Sequence, residues 1–140
     1  MGKIEGGCLC GSVRYSTEVD PVMTAVCHCK HCQRQSGSAF SPIAAFPKGT
    51  LQIDKTHLTV YDDVGDSGMP VKRSFCSKCG SPVYTEVSAM PNLEWIKAGT
   101  LDDTAWFQPA VNIWCDSAQS WINMAETSAN FARNPPSAQG

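Results

Sequence analysis

The alternation of hydrophobic and polar residues along the chain predicts a β protein. In SVRYSTEV, residues 12–19, Val13, Tyr15 and Thr17 alternate with polar neighbours, which is the period of a strand with one buried face. Further short segments rich in β-branched or aromatic residues also predict strands: AFSPIAAF (39–46), LTVYDD (58–63), KRSFC (72–76), SPVYTEV (81–87), EWIKAGTL (94–101) and AVNIWC (110–115).

Glycine and proline separate these segments at residues 47–49, 65–70 and 91–92. Helical periodicity is weak. It predicts one or two turns after Cys32, through QRQSG (33–37), and a weakly periodic segment over residues 120–132. We therefore predict one mainly β domain of short antiparallel strands over residues 1–125. The remaining residues, 126–140, are predicted to form a C-terminal tail.

Charge and hydropathy indicate the cellular location of such a domain and the partners that it lacks. The formal net charge of -2 gives no general attraction to nucleic acid or to an anionic membrane. No apolar run approaches the roughly 20 residues of a membrane span, and the first residues, MGKIEGG, lack the apolar core of a signal peptide. We expect a cytoplasmic protein without a nucleic-acid or membrane partner. Its oligomeric state is not specified by the sequence.

The cysteines indicate a metal-binding protein. Clustered cysteines in a reducing compartment favour metal or redox chemistry over structural disulfides. Of the eight cysteines only Cys115 stands alone, whereas a disulfide framework would distribute them more evenly. Metal ligation is therefore favoured over disulfides and over plain buried thiols. The other seven form three groups: CLC (Cys8, Cys10), CHCKHC (Cys27, Cys29, Cys32) and CSKC (Cys76, Cys79).

Two of these groups are predicted to share one zinc ion. Cys8 and Cys10 face the same way in an extended segment, and Cys76 and Cys79 have the spacing of a zinc knuckle. Each pair is followed at once by glycine, which lets the backbone turn tightly around a metal. Four thiolates form a closed tetrahedral site, so this zinc would be structural.

The CHCKHC group is predicted to hold a second zinc. Three cysteine ligands with an open fourth position describe a catalytic site, and three ligands hold zinc less firmly than four, so partial occupancy would follow. The alternatives are a closed site completed by His28 or His31, an iron–sulfur cluster and a redox-active thiol group. Each histidine could also shuttle a proton or simply face solvent. Lys30 and Arg34 flank the group and are predicted to bind substrate, because Arg34 could hold a carboxylate bidentately.

Four segments carry a family resemblance: GGCLCGSVRY, CHCKHCQRQSGSAF, FCSKCGSPVY and IKAGTLDD. In order and spacing, the chain resembles the glutathione-dependent formaldehyde-activating enzyme family, which includes the centromere protein V branch, from about Gly6 to Trp121. The resemblance implies a β-tent-like fold with two zinc sites, the structural one at Cys8, Cys10, Cys76 and Cys79 and the catalytic one at Cys27, Cys29 and Cys32. The family often has histidine where this chain has Asn112.

The resemblance also implies an activity, the joining of glutathione to formaldehyde as S-(hydroxymethyl)glutathione. The chemistry of the residues is compatible with it, because zinc converts a thiol into a thiolate that can attack an aldehyde carbon. We therefore predict a carbon–sulfur lyase type of enzyme acting on a small thiol, with glutathione the leading candidate. The alternatives are a zinc enzyme that uses zinc-bound water on another small molecule, and a non-catalytic zinc domain that binds a partner.

Overall fold

The computed structural model describes residues 2–124 and 129–135. Within them the chain is mainly β, as predicted. The single α-helix of this part, α1 (Lys30–Ser36), follows the cysteine group at residues 27–32. Short 3-10 turns lie at Ala98–Thr100 and Cys115–Ser117. The strands are β1 (Ile4–Gly7), β2 (Arg14–Thr17), β3 (Met23–Cys27), β4 (Ser41–Pro47), β5 (Gln52–Ile53), β6 (Leu58–Val64), β7 (Pro70–Cys76), β8 (Pro82–Val87), β9 (Leu93–Lys97), β10 (Val111–Ile113) and β11 (Ala129–Asn130).

The strands form a small sheet and a large one. The small sheet has the order β1-β2-β5, and the large sheet has the order β11-β10-β3-β4-β9-β8-β7-β6. The predicted antiparallel arrangement holds for most neighbours, but β10 runs parallel to both β3 and β11. The weak helical prediction over residues 120–132 is wrong where the structure describes that segment, because Ala129–Asn130 forms β11; residues 125–128 lie outside the described part.

The apolar core lies between the two sheets. Val13, Tyr15 and Thr17 are buried, as their alternation predicts. Ile4 and Tyr15 of the small sheet pack in one cluster with Phe46 and Ile96 of the large sheet. Successive side chains of a strand point to opposite faces, so the large sheet has a second face that this core does not use.

The strand register brings distant residues together on that second face. Cys27 lies opposite Ser41, and Lys97 lies opposite Ile43, two residues beyond Ser41 on β4. Trp95 on β9 lies opposite Thr85, which in turn lies opposite Arg73. Because directly paired residues share a face and i, i+2 residues do as well, these side chains all project from the same side of the large sheet. We call it the cavity face.

Candidate metal centres and the adjoining cavity

The first cysteine group joins two segments that are far apart in sequence. The sulfur atoms of Cys8, Cys10, Cys76 and Cys79 all lie within 4.8 Å of one another. The Cys8–Cys10 and Cys10–Cys76 sulfur atoms are 3.6 and 3.7 Å apart. Zinc–sulfur bonds of about 2.3 Å in a tetrahedron place sulfur atoms about 3.8 Å apart. The four-cysteine group therefore has the donor set and the spacing that zinc requires.

The backbone around this group has the turns that the Cys-Gly endings predict. Gly11 and Gly80 have φ angles of 84° and 81°, in the left-handed region that side chains other than glycine rarely adopt. Gly11 N donates to Cys8 O, and Gly80 N donates to Cys76 O. The amides of Lys78 and Cys79 point at the Cys76 sulfur at 3.4 and 3.5 Å. Such amide contacts stabilise a thiolate.

The second cysteine group forms where β3 runs into α1. Cys27 ends β3, Cys29 is the N-cap of α1, and Cys32 lies in its first turn; the Cys29 sulfur accepts from Cys32 N at 3.3 Å. The three sulfur atoms lie within 4.8 Å of one another, and no histidine, aspartate, glutamate or fourth cysteine of the described residues joins them. The three-cysteine group could thus hold a metal and leave one coordination position open. The described cysteines are all free thiols.

Neither histidine of CHCKHC is part of the three-cysteine group. His28 is buried on the opposite face, 1% exposed, with its Nε2 atom 3.0 Å from Asn112 Oδ1 and its ring against Phe40. Asn112 also donates to Asn130 Oδ1. Asn112, where the resemblance leads one to expect histidine, therefore holds His28 in place. His31 lies near the group, and its Nδ1 atom is 2.8 Å from Asp63 Oδ2.

A cavity of about 120 Å³ opens beside the three thiols on the cavity face. Apolar side chains form much of its wall, and two buried cations, Arg73 and Lys97, also line it. Arg73 donates through Nε to Asp63 at 2.9 Å and approaches the Cys32 sulfur with Nη1 at 3.8 Å. Lys97 donates to Ser41 Oγ at 2.8 Å. Spacing along the chain singles out neither Lys97 nor Arg73, because both are far in sequence from residues 27–32.

These surroundings lower the pKa of one thiol. The pKa of Cys32 is held well below the usual thiol range, first because the Cys27 and Cys29 thiols donate to it, and also because Lys97 and Arg73 are close. Hydrogen bonds with the sulfur atoms of Cys29 and Cys32 raise the pKa of Cys27, and burial adds to the effect. Burial lowers the pKa of Lys97, and the nearby thiols oppose that change. The three-cysteine group is therefore a place where negative charge is stabilised.

Lys30 and Arg34, predicted to bind substrate, do not line this cavity. Both are exposed on α1 and border surface grooves on its outer side. One of these grooves also includes His31 and Arg73, which line the cavity as well. The two cations of α1, Lys30 and Arg34, thus lie on a surface next to the cavity that Arg73 and Lys97 line. The wall of the cavity contains one strained residue, Trp114, whose φ angle is 58°.

A mainly β chain with a four-cysteine group and a three-cysteine group belongs to the class of candidate metalloproteins. Comparison with known proteins identifies the family. The family model described as "Glutathione-dependent formaldehyde-activating enzyme" matches residues 3–117, so the chain belongs to that family. A Halomonas elongata protein named "Putative glutathione-dependent formaldehyde-activating enzyme" is 25% identical over 126 residues, which cover 86% of this chain and 80% of that protein.

A crystal structure of a Rhodobacter sphaeroides protein has the same fold. It superposes with a TM-score of 0.57 at 22% identity, covering 70% of this chain and 87% of that one. At this identity the likeness concerns the fold alone. No helix in the part of the chain that the structure describes is long and apolar enough to span a membrane.

Proposed function

We propose that this protein is a zinc-dependent enzyme that joins a small thiol, glutathione, to formaldehyde and forms S-(hydroxymethyl)glutathione, a carbon–sulfur lyase in the reverse direction. The observation that carries the proposal is a group of three thiols that no fourth metal ligand of the described residues joins, open to a cavity that two buried cations line. The family to which the chain belongs, and the name of the Halomonas relative, support the two substrates.

In this proposal the two cysteine groups have different tasks. Cys8, Cys10, Cys76 and Cys79 hold a structural zinc that ties the segment after β1 to the end of β7. Cys27, Cys29 and Cys32 hold the catalytic zinc. A zinc ion there would supply Lewis acidity and keep the sulfur of a bound thiol in its thiolate form.

The remaining steps depend on residues of this chain. The cavity holds the aldehyde against the substrate sulfur, which bonds to the carbonyl carbon while the carbonyl oxygen takes the electron pair and then a proton. His31 lines the cavity and is held by Asp63, so we assign it the delivery of that proton. Arg73 and Lys97 offset the negative charge that a fourth thiolate adds beside three cysteines.

Lys30 and Arg34 are proposed to bind a carboxylate of glutathione that extends out of the cavity. The support is the groove that Lys30 and Arg34 share with His31 and Arg73. Arg34→Ala should then weaken glutathione binding by roughly 1.5–3 kcal/mol, the range of a hydrogen bond to a charged group, and should leave the zinc content unchanged.

The test combines metal analysis with an activity measurement. Zinc-loaded protein should bind glutathione in calorimetric titration and accelerate formation of the formaldehyde adduct, which exchange NMR detects. Cys29→Ser should keep the fold, lose one zinc per chain and lose both signals, whereas Cys115→Ser, a cysteine outside both groups, should behave as wild type. The substrate assignment is rejected if fully zinc-loaded protein does not bind glutathione at about 1 mM, the upper end of common KM values.

A further inference from the structure

Three buried polar side chains on the cavity face have hydrogen-bonding capacity that no described residue uses. Thr85 Oγ1 and Trp95 Nε1 are buried without a hydrogen-bond partner in the described part of the chain. The Lys97 ammonium has three donors, and Ser41 Oγ is the hydrogen-bond acceptor found for it there. All three residues line the cavity beside the three-cysteine group. We call them the donor patch.

The strand register determines how closely these groups lie. Thr85 and Trp95 are directly opposite each other on β8 and β9, so their Cβ atoms are about 5 Å apart. Lys97 follows Trp95 by two residues on the same strand and face, a separation of about 7 Å. Their exposed fractions are 7% for Thr85, 3% for Trp95 and 7% for Lys97. The patch is therefore a buried and compact set of donors, because all three can donate a hydrogen bond.

The charges around the patch indicate which ligand it would accept. Arg73 is already paired with Asp63, but no carboxylate of the described residues lies within ion-pair distance of Lys97. Burying polar groups without partners is unfavourable unless a ligand or water supplies them. A carboxylate has two acceptor oxygens, carries the charge opposite to Lys97, and forms its strongest hydrogen bonds with charged donors.

We propose that Thr85, Trp95 and Lys97 form a carboxylate-binding subsite, and that the substrate carries a carboxylate a few bonds away from the group that meets the three cysteines. The placement of the substrate sulfur at the three-cysteine group rests on the proposed function, whereas carboxylate binding at the donor patch does not. A short mercapto acid and the glycyl end of glutathione share this chemistry. The cavity, about 120 Å³, has room for the carboxylate and a short connecting chain.

The experiment observes the patch directly by NMR of ¹⁵N-labelled tryptophan in the zinc-loaded protein. The chain has four tryptophans, and Trp95→Phe identifies the Trp95 indole resonance by its loss. Titration with 3-mercaptopropionate should shift the Trp95 N–H resonance downfield, and its Kd should be at least tenfold lower than that of 3-mercaptopropionamide, which has the same length without the charge. Lys97→Met should abolish this tenfold preference, so that acid and amide bind equally, although both thiols should bind less tightly because Lys97 also offsets the charge of a bound thiolate.

Controls separate a specific loss from a folding defect. Lys72→Met removes an exposed lysine from β7 on the face opposite to Arg73 and should keep the preference. Thr85→Val changes no charge and should reduce the preference severalfold with an unchanged circular dichroism spectrum. The affinities for glutathione and for its glycyl ethyl ester then show which acid supplies the carboxylate. A higher affinity for free glutathione assigns the glycyl carboxylate, and equal affinities assign a shorter acid.

Propionate and propionamide, which contain no sulfur, separate this proposal from the proposed function. A Trp95 shift with propionate alone supports the subsite even if the protein forms no formaldehyde adduct. Equal affinity for acid and amide, without a shift of the Trp95 resonance, overturns the subsite even if the adduct is formed. In that case the three polar groups are satisfied by water.

Discussion

Replacing Arg73 by methionine tests whether the buried cations control the three-cysteine group. Arg73 is 5% exposed, and its guanidinium lies between the carboxylate of Asp63 and the sulfur of Cys32. Methionine preserves most of the apolar stem and removes the charge. Asp63 retains its contact with His31, so the fold should survive the substitution.

The magnitude follows from the distance between Nη1 of Arg73 and the Cys32 sulfur, 3.8 Å. Two unit charges at that separation interact by about 4 kcal/mol at an effective dielectric constant near 20. This corresponds to roughly a thousandfold in a binding constant. The guanidinium charge is delocalised and Lys97 remains in place, so this value is an upper bound. We expect zinc bound by the three-cysteine group to be held about 10- to 1,000-fold less tightly.

The assay is a competition between protein and chelator, with cobalt as a spectroscopic substitute because its thiolate complexes absorb visible light. The four-cysteine group should keep its affinity, and Lys72→Met is the matched control because Lys72 is exposed and pairs with Asp62. Arg73→Lys, which preserves the charge, should recover much of the loss. Zinc affinity of a folded Arg73→Met protein within about twofold of wild type would refute this electrostatic reasoning.

Three further predictions concern stability. Cys76→Ser should leave the protein poorly folded, since the four-cysteine group links distant segments; a wild-type melting temperature with unchanged metal content contradicts this. Burial raises the pKa of Tyr15 to about 12, against about 10 when unfolded, so stability present below pH 10 is lost as pH rises to 12. In urea titrations at both pH values, Tyr15→Phe should be spared about 3 kcal/mol of this loss, and an equal loss in both proteins would show that Tyr15 is not responsible. Gly6→Ala should lower the melting temperature, because a Cβ there collides with the Tyr15 hydroxyl and the Thr100 carbonyl, whereas Gly99→Ala meets nothing; calorimetry showing equal effects would contradict it.

Local patterns predicted much of the fold and the grouping of the cysteines. The period-2 alternation around Tyr15 and the i, i+2 and i, i+3 spacings of the cysteines are properties of a few neighbouring residues, so the sequence displays them directly. The strand β1, with sequence IEGG, lacks such a pattern. It is a strand because it pairs with β2, and Gly6 gives the Tyr15 hydroxyl room. Tertiary pairing outweighs local propensity at this position.

The surroundings of the three thiols could not be predicted in the same way. Lys97 and Arg73 reach the cavity through the register of four adjacent strands, and a shift of one residue would place them on the other face. Lys30 and Arg34, the cations that proximity in sequence to the cysteines predicts, lie on the outer side of α1. The parallel pairing of β10 with β3 likewise joins segments about 85 residues apart, and no local signal specifies it.

The two faces of the large sheet have a consequence for how such a protein can diversify. Along β9, Ile96 packs in the core while its neighbours Trp95 and Lys97 line the cavity. Under the proposed subsite, mutations at alternate positions of one strand fall under different selection: one set is constrained by folding and the other by the ligand. A lineage could then exchange Thr85, Trp95 or Lys97 for other side chains and acquire a new substrate, while the core on the other face keeps the fold.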